Sequence, residues 1–260
     1  MLKKQKENYL IFTDLDGTLL DHETYSFHDA KEMLSYLKLN DIPLIIITSK
    51  TKHEILKLRE KLELKQPFIV ENGAGIFIPF ENDFKQINLG KTYLEVLDFF
   101  NMYKKEYELK GFFDMSIQEV ALLTDLSLSD AKLAKKRDFC EPFIIKDESR
   151  ITELKDLALK KDLDIVKGGR FYHLISKGQD KAKALLELCK IYEKENNTKY
   201  KTIALGDGAN DITMLQCADI SVLIKKFDNT FINFEKKDLV KTKEIGPKGW
   251  NEALKGILCK

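Results

Sequence analysis

Two aspartates come shortly after a short apolar run near the amino terminus. The run is Tyr9–Phe12, and the pentapeptide Asp14-Leu15-Asp16-Gly17-Thr18 comes shortly after it. A run of this length and composition predicts a buried strand, which the glycine ends in a tight turn. In an open parallel sheet, ligands bind at the carboxyl ends of the strands. Because strand residues two apart point the same way, Asp14 and Asp16 are candidate functional residues.

The chemistry of these two carboxylates points to catalysis. One could attack a substrate as a nucleophile while the other transfers a proton. Two acids this close repel each other unless a cation lies between them, which favours a hard metal such as Mg²⁺ with oxygen ligands. An acidic surface turn would also explain the pentapeptide alone, so a second motif has to decide between the two interpretations.

A second acidic motif follows another apolar run. Gly206-Asp207-Gly208-Ala209-Asn210-Asp211 comes directly after Thr202–Leu205 and precedes the start of an amphipathic helix. Asp207 and Asp211 would complete an oxygen-rich metal site with Asp14. Two acidic strand ends in one chain are hard to explain as surface turns.

In order and composition, these motifs resemble the first and fourth motifs of the haloacid-dehalogenase phosphohydrolase superfamily. The resemblance implies an α/β fold: a doubly wound, Rossmann-like parallel-sheet core with an inserted α+β cap of the C2B type. It implies a phosphatase that works through an aspartyl-phosphate, with Asp14 as the nucleophile and Asp16 as the general acid and base. Mg²⁺ would be held by Asp14, the main-chain carbonyl of Asp16, and Asp207, with Asp211 nearby.

Length and patterning predict two structural units. At 260 residues, 43% of them hydrophobic, the chain can bury one large core or two modest ones. Apolar strand patterns alternate with helical patterns on both sides of a central stretch, which predicts a parallel sheet with right-handed crossovers. The central stretch has no acidic strand end. We expect a core of residues 1–81 and 175–260, with a cap at 82–174 that supplies specificity and excludes water.

Composition limits the partners. Lys plus Arg number 43 against 42 for Asp plus Glu, so nothing implies a polyanion such as nucleic acid. No apolar run approaches the roughly 18 residues of a membrane span, and the stretch behind Met1–Asn8 is too short for a signal sequence. Four scattered cysteines without a CxxC pair favour a reduced, cytoplasmic protein. The expected partner is a small phosphorylated sugar, and the oligomeric state stays open.

Two further residues complete the expected catalytic group. Thr48 ends the apolar run Leu44–Ile47, and the superfamily resemblance implies that it hydrogen-bonds the transferring phosphoryl group; a helix-capping or turn hydroxyl is the alternative. Lys181 begins Lys-Ala-Lys-Ala-Leu, which resembles the Lys-Gly-x-Ala-Leu of related sugar phosphatases. It would neutralise phosphoryl charge there. Lys177, followed by glycine, is the alternative phosphate-binding lysine.

Several polar residues near turns are candidates for binding the substrate. Asn-Gly predicts a hairpin after Val70, and the preceding Glu71 and Asn72 would also overhang the site and contact substrate hydroxyls. The cap residues could instead be solvated charges at strand ends. The expected substrate-binding residues are Ser49, Glu71, Asn72, Arg137, Glu141, Arg170, His173, Lys177 and Asn210.

Four segments resemble one branch of the superfamily, the mannosyl-3-phosphoglycerate phosphatases. They are Ser49-Lys50-Thr51, Glu71-Asn72-Gly73, Arg137–Phe143 and Gly168–Phe171. The resemblance implies hydrolysis of mannosyl-3-phosphoglycerate to mannosylglycerate and phosphate, in compatible-solute synthesis. Arginine suits the planar carboxylate of such a substrate, and Glu or Asn suits its hydroxyls.

Two departures keep the preferred sugar open. Asp138 stands where the branch usually has Glu, and Cys140 where it has a small hydroxyl residue. The alternatives are a phosphatase for glucosyl-3-phosphoglycerate, sucrose phosphate or hexose phosphates in general, a hexose phosphomutase of the same superfamily, and a non-catalytic binding protein.

Overall fold

The structure is a computed structural model that describes residues 7–168 and 170–259. The expectations that involve Met1–Lys6, the second glycine of the pair at 168–169, and Lys260 lie outside the described residues.

The core is an eight-stranded sheet in the order β12-β11-β10-β1-β2-β3-β4-β5. Pairing is parallel from β12 to β3 and antiparallel in the last two pairs. This confirms the predicted mostly parallel core. Its strands are β1 Tyr9–Thr13, β2 Leu44–Ile47, β3 Phe68–Val70, β4 Gly75–Phe80, β5 Asp83–Asn88, β10 Lys201–Gly206, β11 Ile220–Lys225 and β12 Val240–Ile245.

Helices cover both faces of this sheet. Alternate residues of β1 enter different cores: Ile11 packs in one cluster with Trp250, while Leu10 and Phe12 pack in the other with Leu185. This period of two with both faces buried explains why the strand reads as a continuous apolar run. The helices of the core are α1 Lys31–Leu39, α2 Lys52–Leu62, α7 Lys181–Asn196, α8 Ile212–Cys217 and α9 Gly246–Leu258.

The position of β1 determines where the site forms. It pairs with β10 on one side, Phe12 opposite Ala204, and with β2 on the other, Phe12 opposite Ile45. Because the three strands are parallel, their carboxyl ends meet at one edge of the sheet. The segments that begin at Asp14, Thr48 and Asp207 therefore leave the sheet side by side.

A second, antiparallel sheet in the order β6-β7-β9-β8 forms the cap. Its strands and the helices between β5 and β9 are β6 Leu109–Gly111, β7 Glu141–Ile145, β8 Leu163–Lys167, β9 Tyr172–Ser176, α3 Tyr93–Tyr103, α4 Ile117–Thr124, α5 Leu128–Ala134 and α6 Ile151–Leu159. Among the described residues, none of these helices or those of the core has both the length and the apolar character to span a bilayer.

The limits of the cap differ slightly from the expected 82 and 174. The strand at 83–88 pairs with β4 and extends the core sheet, whereas β9 continues to Ser176 within the cap sheet. The sequence pattern did not reveal β5 because most of its residues are polar and exposed. We propose that the inserted segment runs from 89 to 176.

Candidate active site

Three carboxylates meet at the edge formed by β1 and β10. One oxygen from each of Asp14, Asp207 and Asp211 lies within 4.8 Å of the others. The Asp14 amide donates to the Leu205 carbonyl at 3.0 Å, which ties the two motifs together. Gly17 has a φ of +75°, and a Cβ there would lie 2.8 Å from Asp207 Oδ2. The first motif therefore needs glycine for both its turn and its contact with the second motif.

Lys181 lies inside this acidic group. Its Nζ donates to Asp14 Oδ1 and Asp211 Oδ1, each at 2.6 Å, and its side chain is only 1% exposed. It is the first residue of α7, behind the N-cap residue Asp180. Burial alone would lower the pKa of Lys181, but Asp14 and Asp211 raise it above its ordinary value, so the ammonium stays charged. The side chain of Lys177, by contrast, is exposed.

The second motif is held by its own last residue. Asp211 is fully buried, and its Oδ2 accepts the amide N–H groups of Asp207 at 3.1 Å and Gly208 at 2.8 Å. Thr18 donates its hydroxyl to Asp207 Oδ1 at 3.1 Å. Asp211 thus fixes the loop and Lys181, while Asp14 and Asp207 keep oxygens that face the site.

The electrostatics of the cluster favour a cation. Burial and the charge of Asp211 hold the pKa of Asp14 well above its usual range, although Lys181 acts in the opposite direction. Burial and Asp211 also raise the pKa of Asp207 to about 6. Three carboxylates facing one ammonium leave an excess of negative charge, and all the available donors are oxygens. This acidic cluster therefore fits a hard divalent cation.

Asp16 and Thr48 both contact Lys50, which the sequence analysis left out of the site. Lys50 Nζ lies 2.8 Å from Asp16 Oδ2, and its amide donates to Thr48 Oγ1 at 3.2 Å. Burial opposes the charge of Lys50, but Asp16 and Glu54 raise its pKa. The sequence does carry a signal for this contact, because Lys50 lies two residues after Thr48 at the same end of β2.

Glu71 points away from the acidic cluster, toward the cap. Its carboxylate is fully buried and accepts the amide N–H groups of Asp138, Phe139 and Cys140 at 2.8, 3.1 and 2.8 Å. The sequence predicts that Glu71 contacts substrate hydroxyls. In the structure, however, its carboxylate oxygens already accept backbone amides of the protein. Its neighbour Asn72 instead contacts Asn210 of the second motif.

Arg137 belongs to the same junction between core and cap. It is buried, and its Nη2 donates to the Ser49 carbonyl at 3.1 Å and to Cys140 Sγ at 2.8 Å. Its Nε lies 3.4 Å from Glu71 Oε2. Both Arg137 and the Ser49 main chain are therefore engaged in holding the cap against the core.

Glu141 and His173 lie inside the cap and are not solvated charges at strand ends. Glu141 accepts the Tyr93 hydroxyl at 2.6 Å and the Phe113 amide at 2.7 Å. Burial raises the pKa of Glu141 to about 7 despite these hydrogen bonds. Burial and then Arg137 lower the pKa of His173 to about 3, so the ring is neutral. Its Nδ1 has no hydrogen-bond partner among the described residues.

Arg170 is an exposed cation of the cap. It lies 2.6 Å from Asp125 Oδ2 and donates to the Leu123 carbonyl at 3.0 Å. Burial and then the Asp16 charge raise the pKa of Tyr25 above its ordinary value, although Lys50 and Arg170 act in the opposite direction.

The last pair lies beside the acidic cluster. Asn210 Nδ2 donates to Asn72 Oδ1 at 3.1 Å, and the left-handed φ of Asn72, 57°, turns its side chain toward the second motif. Asp14, Asp207, Asp211 and Lys181 thus form one group, and Asp16 and Thr48 meet at Lys50. Glu71, Arg137 and Ser49 form the junction, whereas Glu141 and Lys177 lie apart.

Comparison with known proteins shows the family of this chain. The family described as haloacid dehalogenase-like hydrolase matches residues 11–244. A glucosyl-3-phosphoglycerate/mannosyl-3-phosphoglycerate phosphatase of Persephonella marina is 45% identical and covers 96% of this chain and 97% of its own. A protein of the same name from Methanococcoides burtonii is 37% identical, covering 97% of this chain and 98% of its own.

The fold is also that of solved structures in the superfamily. A subclass IIB sugar phosphatase superposes with a TM-score of 0.66 at 19% identity, covering 96% of this chain and 98% of its own. This confirms the predicted α/β core with a cap. The chain therefore belongs to the haloacid dehalogenase-like hydrolases, and its enzyme class is, as the sequence predicted, that of a phosphoric monoester hydrolase.

Proposed function

We propose that this enzyme hydrolyses mannosyl-3-phosphoglycerate to mannosylglycerate and phosphate, and accepts the glucosyl compound as well. The observation that carries the substrate is the full-length similarity to two phosphatases named for both esters. The chemistry is supported by the buried Lys181–Asp14 contact within an acidic cluster at a strand edge.

Mg²⁺ is the proposed cofactor. Asp14, the main-chain carbonyl of Asp16, and Asp207 would hold it, with Asp211 nearby, because this donor set consists of oxygens with excess negative charge. When bound, Mg²⁺ offsets the charge of the phosphate and of the carboxylates, so that two anions can approach each other.

Catalysis is proposed to proceed in two displacements. An Asp14 carboxylate oxygen forms a bond to phosphorus while the bond from phosphorus to the glycerate oxygen breaks. Asp16 gives its proton to that leaving oxygen. Water then attacks the aspartyl-phosphate, Asp16 takes a proton from the water, and phosphate leaves with Asp14 restored. Thr48 and Lys181 hold the phosphoryl oxygens, where negative charge is concentrated.

The rest of the substrate is proposed to lie between core and cap. Asn72 and Asn210 are on the core side, beside the acidic cluster, and Arg170 is on the cap side with an exposed guanidinium. Arg170 could bind the glycerate carboxylate in place of Asp125. Because the four cysteines are free, a reducing compartment, the cytoplasm, is the proposed location.

Phosphate release from a panel of esters tests this function. The panel holds mannosyl- and glucosyl-3-phosphoglycerate, sucrose 6-phosphate and simple hexose phosphates, each assayed with and without Mg²⁺. We expect the highest kcat/KM for the two phosphoglycerate esters and no turnover after chelation. Equal activity on all esters would contradict the proposed specificity, and interconversion of hexose phosphates with little free phosphate would indicate a mutase.

A further inference from the structure

Lys50 connects the end of β2 with the first motif. Its backbone is fixed on both sides: the amide donates to Thr48 Oγ1 at 3.2 Å, and the carbonyl accepts the Glu71 amide at 3.0 Å. Its Nζ reaches Asp16 Oδ2 at 2.8 Å. The side chain is therefore anchored next to the residue that the proposed mechanism uses as acid and base.

An aromatic ring supports this ammonium group. Lys50 Nζ lies 5.3 Å from the centroid of the Tyr25 ring, and the Lys50 side chain is only 16% exposed. Tyr25 adopts a left-handed φ of 55° in the loop after the first motif, where its amide donates to the Asp21 carbonyl at 3.0 Å. An ammonium group between a carboxylate and the face of an aromatic ring is attracted by both. Lys50 is thus held in one position.

The two oxygens of Asp16 differ in their surroundings. Oδ2 is bound by Lys50, whereas Oδ1 is buried and has no hydrogen-bond partner within residues 7–168 and 170–259. Because Oδ1 is closed off from solvent, the ion pair with Lys50 at Oδ2 is the contact that holds the Asp16 carboxyl among the described residues. Asp16 lies two residues after Asp14, so this contact fixes the carboxyl next to the phosphorus that Asp14 attacks.

We propose that Lys50 is a positioning residue that binds Asp16 Oδ2 and so holds the Asp16 carboxyl beside the oxygen leaving phosphorus. The inference rests on the proposed phosphatase function. As the Asp14–phosphorus bond forms and the phosphorus–glycerate bond breaks, the proton of the Asp16 carboxyl passes to the leaving oxygen. Lys50 keeps its own protons and stays beside the carboxylate that remains.

The dependence of rate on the leaving group tests this role. A sugar-phosphoglycerate ester expels a strongly basic alkoxide, which needs the proton from Asp16, whereas p-nitrophenolate leaves without one. The measured quantity is kcat/KM, because it reports the first displacement and not the later hydrolysis of the intermediate. For Lys50→Met, we expect the kcat/KM ratio of mannosyl-3-phosphoglycerate to p-nitrophenyl phosphate to fall on the order of tenfold to a hundredfold.

Three variants serve as comparisons. Lys52→Met removes a lysine two residues away whose Nζ also lies over an aromatic ring, 4.8 Å from the Phe77 centroid. This variant should leave the kcat/KM ratio unchanged. Lys50→Arg keeps the positive charge and should restore part of the ratio. Tyr25→Leu removes the supporting ring and should lower the ratio less than Lys50→Met does.

Each outcome decides a different question. Equal losses on both esters would overturn the inference, because they would mean that Lys50 acts on the phosphoryl group or on folding. An unchanged ratio would overturn it too. If Lys50→Met does not fold, Lys50→Arg and Tyr25→Leu supply the comparison. If the wild type does not hydrolyse p-nitrophenyl phosphate, acetyl phosphate replaces it. Absence of phosphate release from all esters by the wild type would refute the proposed function instead.

Discussion

Asp14 is electrostatically unfavourable in the folded protein. Burial and Asp211 place its pKa well above the ordinary value, with Lys181 compensating only in part. An acid whose native pKa is raised holds a proton in the folded state at a pH where the unfolded chain has released it. Near neutral pH, with no divalent cation, the ionised carboxylate therefore lowers the free energy of unfolding. The same carboxylate is the proposed nucleophile, so stability and catalysis oppose each other at this residue.

Asp14→Asn separates the two effects. Asparagine keeps the shape but cannot form the acyl phosphate, so we expect kcat to fall by a factor on the order of 10⁴ or more. The free energy of unfolding at pH 8 in chelator should stay the same or rise, because a like charge next to Asp211 is removed. Phosphate release and urea unfolding measure both quantities. Asp98→Asn, on an exposed face of the cap, is the control and should change neither; full activity of Asp14→Asn would refute the nucleophile assignment.

At single residues, prediction from sequence succeeded in locating residues and failed in orienting them. The two acidic motifs and the segment that begins at Lys181 were sufficient to bring Asp14, Asp207 and Lys181 to one site, because each lies at a strand end or helix start that the pattern defines. Lys50 was missed because its partner comes from another strand. Glu71 was expected to face the substrate, but its left-handed φ of 47° is the first of three positive φ values in succession, and no sequence pattern shows where such a turn directs the carboxylate.

At the scale of secondary-structure elements, the turn after β3 packs directly against the start of α7. Gly73 has a φ of +93°, and a Cβ at this position would overlap the carbonyl oxygen of Asp180. Asp180 is the N-cap of α7, and the next residue is Lys181. The geometry of the hairpin turn therefore sets the position of Lys181, the proposed phosphate-binding lysine.

Gly73→Ala should disturb this contact, and Gly178→Ala provides a matched comparison. Gly178 also has a positive φ, 70°, but an added Cβ would meet nothing within 4 Å. We expect a loss of about 2–4 kcal/mol in unfolding free energy for Gly73→Ala and only about 1 kcal/mol for Gly178→Ala. A shift of α7 should also lower kcat for Gly73→Ala by about tenfold to a hundredfold. Similar values for the two variants in unfolding and steady-state assays would contradict the proposed contact.

Elements were predictable where burial imposes a pattern. The runs that became β1, β2, β3 and β10 are continuous and apolar because both faces of the central sheet are covered. The edge strand β5 is largely exposed, so its sequence lacks that signal and was assigned to the cap. The limits of the cap therefore depend on a hydrogen-bonded hairpin that composition does not encode.

For the whole molecule, the junction at Glu71 determines how the cap sits on the core. Glu71 binds three successive cap amides, Arg137 bridges it to the Ser49 carbonyl, and Gln179 donates to the Glu71 carbonyl at 2.6 Å. Gln179 lies in the connector that returns from cap to core, so one buried cluster binds this connector and the cap segment that leads into β7. Cap and core should separate only if this cluster is broken.

Glu71→Gln tests that coupling. The amide keeps one acceptor oxygen, but it presents N–H groups to backbone N–H groups and leaves Arg137 buried without its counter-charge. Breaking a buried ion pair in this way typically costs about 3–5 kcal/mol, and we expect a loss of that size in unfolding free energy. Faster cleavage of the connectors at 89–92 and 177–180 by a trace of protease should accompany it, because the cap would open more often. Glu63→Gln, whose partner Lys38 is exposed, makes the same change outside any junction and should alter neither measurement. If the two variants unfold and are cleaved alike, the Glu71 cluster does not hold the cap, and cap position must depend on the surrounding apolar contacts instead.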